Sequence, residues 1–503
     1  VNIPNLLAMQ ARKYPEHEGL VTPYERISYA AWDKAVNQLA SSLSDMGIAK
    51  GDKVVIHMPN TKELVYAYFA VQRLGALSIP INAKLSQKEI MYIVDHSDAK
   101  MLMSHELVFR QVEALELEEG ITYVKTGPSH KGWESYEELL DAGSPDVIEC
   151  HLTEDDEASI LYTSGTTGAP KGVVFTHRSI LTVAQMICIE MTMRPENRVL
   201  HMMPLSHSAP LHLFLISGTY VGATHVLVPT FTPDLLLETV AKERTTHFFG
   251  APIAYLASAS HEKLEAYDLS SMQYWVYGGA PLDQSKVEFI QKQFKTDSLY
   301  CVYGLTEAGP SGTLLFPEEH RNKSGSIGKR AALNCEIQLV DENGQPVAQV
   351  ETGEIVLKGE GNMKGYYKAD ELTKESLKDG WLYTGDMAYQ DADGYYWVVD
   401  RKKDIIISGG VNIFPQEIEK AMFTHPNVDD VAVVGVPNPD WGETVKAFVV
   451  LREPMDGDMT DHFKTHLTEL VADFKIPRLY EEMEALPRNA TGKLLKSHLR
   501  DQS

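Results

Sequence analysis

Short apolar runs alternate with segments of helical period along most of this chain. The runs at 53–58 and 76–81 read as strands, and the segments 63–74 and 87–94, apolar on one face, read as helices. The rhythm returns with a strand ending near Thr163, a helix from Ser179 and strands at 199–203 and 224–228. A helix over 233–243, opened by Pro233 and Asp234, precedes strands at 246–250 and 272–277, a helix over 282–294 and a strand at 298–303. Strands alternating with helices predict an α/β fold of parallel, helix-covered sheets. Beyond Gly304 the sequence turns glycine-rich, with short strands at 335–340, 353–357 and 395–399, which predicts a small β-barrel-like subdomain. The charged run from Asp400 to Asp404 marks a boundary between a large body, 1–400, and a small α+β domain, 401–503. The latter carries a helix at 415–423, strands at 430–435 and 445–451, and a later helix.

Charge narrows the possible partners. Lys and Arg number 46 against 70 Asp and Glu, a formal charge of −24, which repels phosphate backbones and anionic lipid. Neither nucleic acid nor membrane is an expected partner. The longest stretch without Asp, Glu, Lys or Arg, 199–233, holds Pro204, Pro210, Pro229 and Pro233 and four histidines, and so predicts a buried core segment rather than a membrane span. Cys150, Cys188, Cys301 and Cys335 lie far apart with no CxxC pair, and residues 1–12 lack the pattern of a signal peptide. A reduced, cytoplasmic setting is the expectation.

The sharpest chemical signal follows the strand that ends at Thr163. Tyr162-Thr-Ser-Gly-Thr-Thr-Gly-Ala-Pro-Lys-Gly172 gathers glycines, hydroxyls and Lys171 in one loop. Backbone N–H groups, hydroxyls and an ammonium there can converge on phosphate oxygens. The spacings GxxxxGK[ST] and GxGxxG are absent, so neither a P-loop NTPase nor a Rossmann dinucleotide site has support.

Further segments follow in order: Tyr277-Gly-Gly-Ala-Pro-Leu282, Tyr303-Gly-Leu-Thr-Glu307, Gly353-Glu-Ile355, Tyr383-Thr-Gly-Asp386, Asp400-Arg-Lys-Lys-Asp404 and Pro487-Arg-Asn-Ala-Thr-Gly-Lys493. Together with the loop they resemble the adenylate-forming superfamily of acyl-CoA synthetases, luciferases and peptide-synthetase adenylation domains. The resemblance covers most of the chain. It implies that Thr163, Ser164, Gly165, Thr166, Thr167, Gly168 and Lys171 hold the ATP phosphates. Adenine would stack between the turn Gly278, Gly279 and Ala280 and the aromatic Tyr303, beside Gly304. Thr306 and Glu307 would lie at a strand's carboxyl end, with Glu307 holding Mg²⁺ by a hard carboxylate oxygen. Asp386, after a Thr-Gly turn that points its carboxylate outward, would accept from both ribose hydroxyls, and Arg401 would contact ribose or phosphate.

The same resemblance makes Lys403 the hinge of a mobile C-terminal domain. It makes Lys493 the bridge between the substrate carboxylate and the α-phosphate during adenylation, withdrawn when the small domain turns. Gly409 and Gly410, in Ser408-Gly-Gly-Val-Asn-Ile413, would lie along the pantetheine arm of CoA. His207, in Met203-Pro-Leu-Ser-His207, would gate the acyl tunnel. Thr163, His207, Glu307 and Lys493 are thus the catalytic candidates. Lys171, Arg401 and Lys493 would supply local positive charge within an acidic protein.

No carboxylate lies between 199 and 233, so a partner for an amino-acid ammonium is missing there. No carrier-protein segment follows Lys493 in this sequence. The expected activity is that of a free-standing acyl-CoA ligase using ATP, Mg²⁺ and CoA. The apolar segments around 211–216 and the strand end at 303–309 suggest a hydrophobic acid, and the chain most resembles fatty acyl-CoA synthetases, which implies a medium- or long-chain fatty acid. An aryl or other small-acid ligase, and a non-catalytic acyl-nucleotide binder of the same fold, stay open. The expected partners are small-molecule substrates, and a homodimer is left open.

Overall fold

A computed structural model describes residues 2–163, 169–455, 457–489 and 492–502. The chain forms two compact groupings, one of Val1–Thr163, Pro170–Ile337 and Leu357–Tyr383, the other including Gln338–Val356 and Thr384–Ser503.

The first grouping carries two eight-stranded sheets. One runs Gly365–Tyr366, Lys171–Thr176, Glu157–Thr163, Leu77–Ile81, Lys53–His57, Met101–Ser104, Thr122–Lys125, Glu134–Ser135 across its width. Its interior pairs in parallel, with Val55 opposite both Ile79 and Leu102, and Val54, Val55 and Ile56 wholly buried. A strand covered on both faces needs an apolar residue at nearly every position, hence the unbroken apolar run read in the sequence. The second sheet runs Thr313–Leu315, Leu299–Tyr303, Tyr274–Gly278, His247–Gly250, Arg198–His201, Thr224–Leu227, Glu18–Val21, Arg26–Ser28. It is parallel between Leu299–Tyr303 and Glu18–Val21 and antiparallel at both edges.

The helix read over 233–243 spans Pro233–Glu243, where the Thr232 side chain accepts from Leu235 N–H and Pro233 takes the first turn. Most of the charge-free stretch is core, as its composition predicts. Ala209–Ile216 is π-helical and continues into the helix Ser217–Val221. Leu211, Leu213, Phe214, Leu215 and Ile216 are each at most 1% exposed. Buried all round, this segment has no polar face and so no amphipathic period to read.

Among the described residues of the second grouping, Val428–Asn438 and Gly442–Leu451 make a long antiparallel pair, joined by Ile406–Ser408, Val411–Ile413 and Leu479–Glu482. Val431 and Val433 pack with Ile418, Met422, Phe463 and Leu467, whereas Ala432, Val434 and Val436 pack with Leu486 and Leu499. Alternate residues face opposite sides of the sheet, so the helices Pro415–Phe423 and Met459–Leu467 cover one face and Lys496–Asp501 the other. No helix among the described residues is long and apolar enough to cross a membrane.

Several buried histidines make the first grouping acid-sensitive. Burial pushes the pKa of His201 down to about 3, and those of His57, His177, His212 and His247 down to about 4. His201 Nε2 and His225 Nδ1 lie 2.8 Å apart, one donating and one accepting, which requires the accepting ring to be neutral. The unfolded chain binds these protons near pH ~6.5 and the folded chain does not, so the stability is complete above that value and is lost as pH falls toward the folded pKa values. Each histidine should cost about 1.4 kcal/mol per pH unit in that window. Urea unfolding at about pH 5 should therefore show a clearly lower midpoint than at about pH 7.5, and equal midpoints would contradict the buried neutral state.

Candidate active site

The first grouping assembles its candidate residues at strand carboxyl ends. Gly278 ends Tyr274–Gly278 and pairs with Val302, so Gly279 and Tyr303 emerge side by side from adjacent parallel strands. A Cβ on Gly278 would stand 2.8 Å from Val302 O, and one on Gly304 would stand 1.9 Å from Pro310 O, so neither position admits a side chain. Gly279 and Ala280 are exposed beside Tyr303, a flat backbone surface next to an aromatic ring.

Thr306 and Glu307 occupy the single turn after Tyr303. Ser208 Oγ donates to Thr306 Oγ1 at 3.3 Å, and Tyr366 Oη donates to Glu307 Oε1 at 2.9 Å. The Lys171 ammonium lies 5.6 Å from the centre of the same Tyr366 ring. Tyr366 thus joins the expected phosphate lysine to the expected metal carboxylate, and nothing in its sequence context singled it out. Glu307 Oε2 accepts from no described residue and is the hard oxygen donor that Mg²⁺ prefers. Thr163 pairs with Lys171 across the hairpin of Glu157–Thr163 and Lys171–Thr176. Ser164, Gly165, Thr166, Thr167 and Gly168 lie outside the described residues.

His207 follows the strand Arg198–His201, and its Nε2 lies 3.3 Å from Asn82 Nδ2. Burial lowers its pKa below the ordinary imidazole value although the residue keeps an exposed face. Enclosure combined with accessibility is what a side chain lining a concavity shows.

The second grouping carries the remaining candidates. Thr384 and Gly385 do not form a turn: they continue the strand Trp381–Gln390, in which Leu382, Thr384, Asp386 and Ala388 face inward. Asp386 is therefore buried rather than outward-pointing, and its Oδ1 accepts from Arg401 Nη1 at 2.7 Å, opposite it in the sheet. Arg401 is consequently partnered and does not stand as a lone positive charge. Glu354 ties three motifs together. Its Oε1 accepts from Gly385 N–H at 3.0 Å and its Oε2 from Lys402 Nζ at 2.8 Å.

Asp400 is 1% exposed and accepts from the backbone N–H groups of Arg401 at 2.7 Å and Gln416 at 2.9 Å. Burial raises its pKa, while these bonds hold it at the start of the helix Pro415–Phe423. The Lys403 side chain reaches solvent, yet enclosure of its ammonium lowers its pKa to about 8; Asp404 opposes the shift, and Arg401, Lys493 and Arg500 add to it.

Lys493 is exposed at the end of a closed loop. Its N–H donates to Asn489 Oδ1 and its carbonyl accepts from Asn489 N–H, both at 2.9 Å, while Arg488 pairs with Asp430 at 2.5 Å. Gly409 and Gly410 turn the hairpin between Ile406–Ser408 and Val411–Ile413, both left-handed, at φ 57° and 80°. The Trp441 ring lies against Gly409, and the Arg478 guanidinium sits 5.5 Å from the centre of that ring. Trp441 and Arg478 were not legible in the sequence, because only the fold brings them beside the glycine turn.

The comparisons agree with this assembly. A family model described as AMP-binding enzyme matches residues 7–367, and one described as AMP-binding enzyme C-terminal domain matches residues 417–493. The chain is 35% identical to feruloyl-CoA synthase of Amycolatopsis sp over 94% of its length and 93% of the relative's. It is 32% identical to the long-chain-fatty-acid–CoA ligase FadD13 of Mycobacterium tuberculosis, over 100% and 98%. The solved O-succinylbenzoate coenzyme A synthetase MenE of Bacillus subtilis, in complex with ATP and magnesium ion, aligns with a TM-score of 0.86 at 28% identity, over 99% of each chain.

Fold and relatives together define an adenylate-forming acid–thiol ligase. The chain belongs to the AMP-binding enzyme family. It is an acyl- or aryl-CoA ligase that uses ATP, Mg²⁺ and CoA, which retires the non-catalytic alternative.

The glycine turn offers a clean contrast. Gly409→Ala places a Cβ 2.8 Å from Trp441, whereas one on Gly410 meets nothing within 4 Å. Both alanines should cost about 1–2 kcal/mol in urea unfolding from left-handed backbone strain. Only Gly409→Ala should also shift the tryptophan emission, and that shift should vanish when Trp441→Phe is the background.

Proposed function

We propose that Lys493 brings the substrate carboxylate and the ATP α-phosphate together, and that the acid is a hydrophobic aryl acid. The observation that carries the substrate choice is the burial of the apolar segment 211–216. Its leucines, Phe214 and Ile216 are at most 1% exposed, so packing by itself accounts for their apolarity. The expectation of a hydrophobic acid drew on that segment and on the strand end at 303–309, and that of a fatty chain on the overall resemblance to fatty acyl-CoA synthetases. Feruloyl-CoA synthase and O-succinylbenzoate coenzyme A synthetase among the relatives add weight to an aromatic acid, while FadD13 keeps the fatty acid as the alternative the assay must decide.

In the proposed course a carboxylate oxygen attacks the α-phosphorus, the bond to the bridging oxygen breaks and pyrophosphate leaves. The CoA thiolate then attacks the acyl carbon, and AMP departs with the carboxyl oxygen. Lys493 supplies positive charge where two anions must meet, which positioned charge does better than water. Lys171 acts on the phosphates, and Asp386, oriented by Arg401, accepts from the ribose. Glu307 would hold Mg²⁺, which when bound offsets phosphate charge. Tyr303 and the turn at Gly278 and Gly279 hold the adenine, and His207 borders the acid. Residues 401–503 turn about Lys403 between the two steps, bringing Gly409 and Gly410 to the pantetheine arm.

Lys493→Ala should lower acid-dependent ATP–pyrophosphate exchange by roughly a hundredfold or more and leave thioester formation from supplied acyl-AMP within about threefold of the parent. Equal loss of both steps would remove the bridging role. Across a panel of ferulate, benzoate, octanoate and palmitate, the aryl acids should give the higher kcat/KM. A preference of about tenfold or more for palmitate would reverse the substrate assignment.

A further inference from the structure

Two asparagines at strand ends hold the segment that leads to His207. Asn60, 3% exposed in the loop after Lys53–His57, donates to His201 O at 3.3 Å and Met203 O at 2.8 Å and accepts from Leu205 N–H at 2.9 Å. The backbone entering the Met203-Pro-Leu-Ser-His207 segment is thereby pinned to the first sheet. Asn82 directly follows Leu77–Ile81 in that sheet, and its Nδ2 faces His207 Nε2 at 3.3 Å.

Amide oxygen and nitrogen look alike in shape, and here the partners tell them apart. Asn82 Oδ1 accepts from Lys84 N–H at 2.8 Å, so the nitrogen is the atom turned to the imidazole. The turn is itself held: Leu85 N–H donates to Asn82 O at 3.2 Å, and Ala83 O lies 3.3 Å from Gln111 Nε2 and 3.2 Å from His57 Nε2. An amide NH₂ can only donate, so His207 Nε2 must accept and the ring proton resides on Nδ1. Among the described residues, Asn82 is the group that meets a ring nitrogen of His207 at hydrogen-bond distance.

We infer that Asn82 is a positioning residue that fixes His207 in its Nδ1–H tautomer. The ring then offers one N–H donor, without net charge, to an oxygen of the bound acid or its adenylate, and no described residue accepts from Nδ1. The kinetic consequence rests on the reading of His207 as an acyl-site residue, whereas the tautomer does not.

Asn82→Asp is the discriminating variant. One carboxylate oxygen keeps the Lys84 bond, and the other sets an acceptor and a negative charge opposite Nε2. The ring proton should move to Nε2 and the imidazole pKa should rise by about one unit or more. ¹⁵N NMR of the full-length labelled protein, with the His207 signals assigned by His207→Gln, reads both changes directly. Asn82→Ala should release the restriction and give a mixture of tautomers, and it serves should the aspartate variant fold poorly. Acid-dependent pyrophosphate release at pH ~7 should fall about tenfold or more in Asn82→Asp while KM for ATP stays within about twofold.

Persistence of a pure Nδ1–H tautomer in both variants would overturn the inference. So would a shifted tautomer with an undiminished rate, provided His207→Ala slows adenylation. If His207→Ala slows it with no acid, the acyl-site reading falls, and the NMR result alone decides the assignment to Asn82.

Discussion

Burial on both faces of the parallel strands is the constraint on which the site depends. Val54 to Ile56, Trp275 with Val276, and Cys301 with Val302 are buried and apolar, as strands covered on both faces require, and the buried polar groups beside them are tied up in hydrogen bonds, as Tyr277 is with His320. Polar function is displaced to the first residues past each strand's carboxyl end. Asn60, Asn82, His207, Gly279, Thr306 and Glu307 all stand in such positions. The close approach of backbone at Gly278 and Gly304 follows from the same constraint, since adjacent strands ending together leave no volume for a Cβ.

The second grouping solves a different problem. Glu354, Asp386 and Asp400 are buried carboxylates, and a buried carboxylate is tolerated only when its lone pairs are met. Each meets partners from another motif: Glu354 takes Gly385 and Lys402, Asp386 takes Arg401, and Asp400 takes Gln416. Segments that look like separate islands in the sequence are thus one hydrogen-bonded cluster. A substitution in any of them unsatisfies a group in another.

Legibility followed periodicity and local chemistry. Pro233–Glu243, Cys335–Val340 and Pro415–Phe423 were readable to the residue, because caps, β-branched runs and prolines mark their ends locally. The π-helical Ala209–Ile216 was readable only as core, since a segment buried all round carries no period. Candidate residues were legible where a motif named them, as at Glu307 and Lys493. Their supports were not: Tyr366 reaches Glu307 from 59 residues away, and Asn82 reaches His207 from 125. The outward Asp386 failed for a related reason. Thr-Gly reads as a turn locally, but Thr384 Oγ1 donates to Ile355 O and Gly385 N–H to Glu354, and these distant bonds keep the strand going.

The acidity of the chain looks at first incompatible with three anionic substrates. A formal charge of −24 acts at a distance, however, and physiological salt screens exposed charge beyond about 8 Å. Within that range the candidate cations decide. Arg401, Lys402 and Arg500 each face a carboxylate, at 2.7, 2.8 and 2.5 Å, so none of them stands as an unpaired charge. At Lys403 burial is the main cause of the lowered pKa, opposed by Asp404 and reinforced by Arg401, Lys493 and Arg500. The net charge of the chain therefore says little about the field an anionic substrate meets, which is set by the charges within a screening length of it.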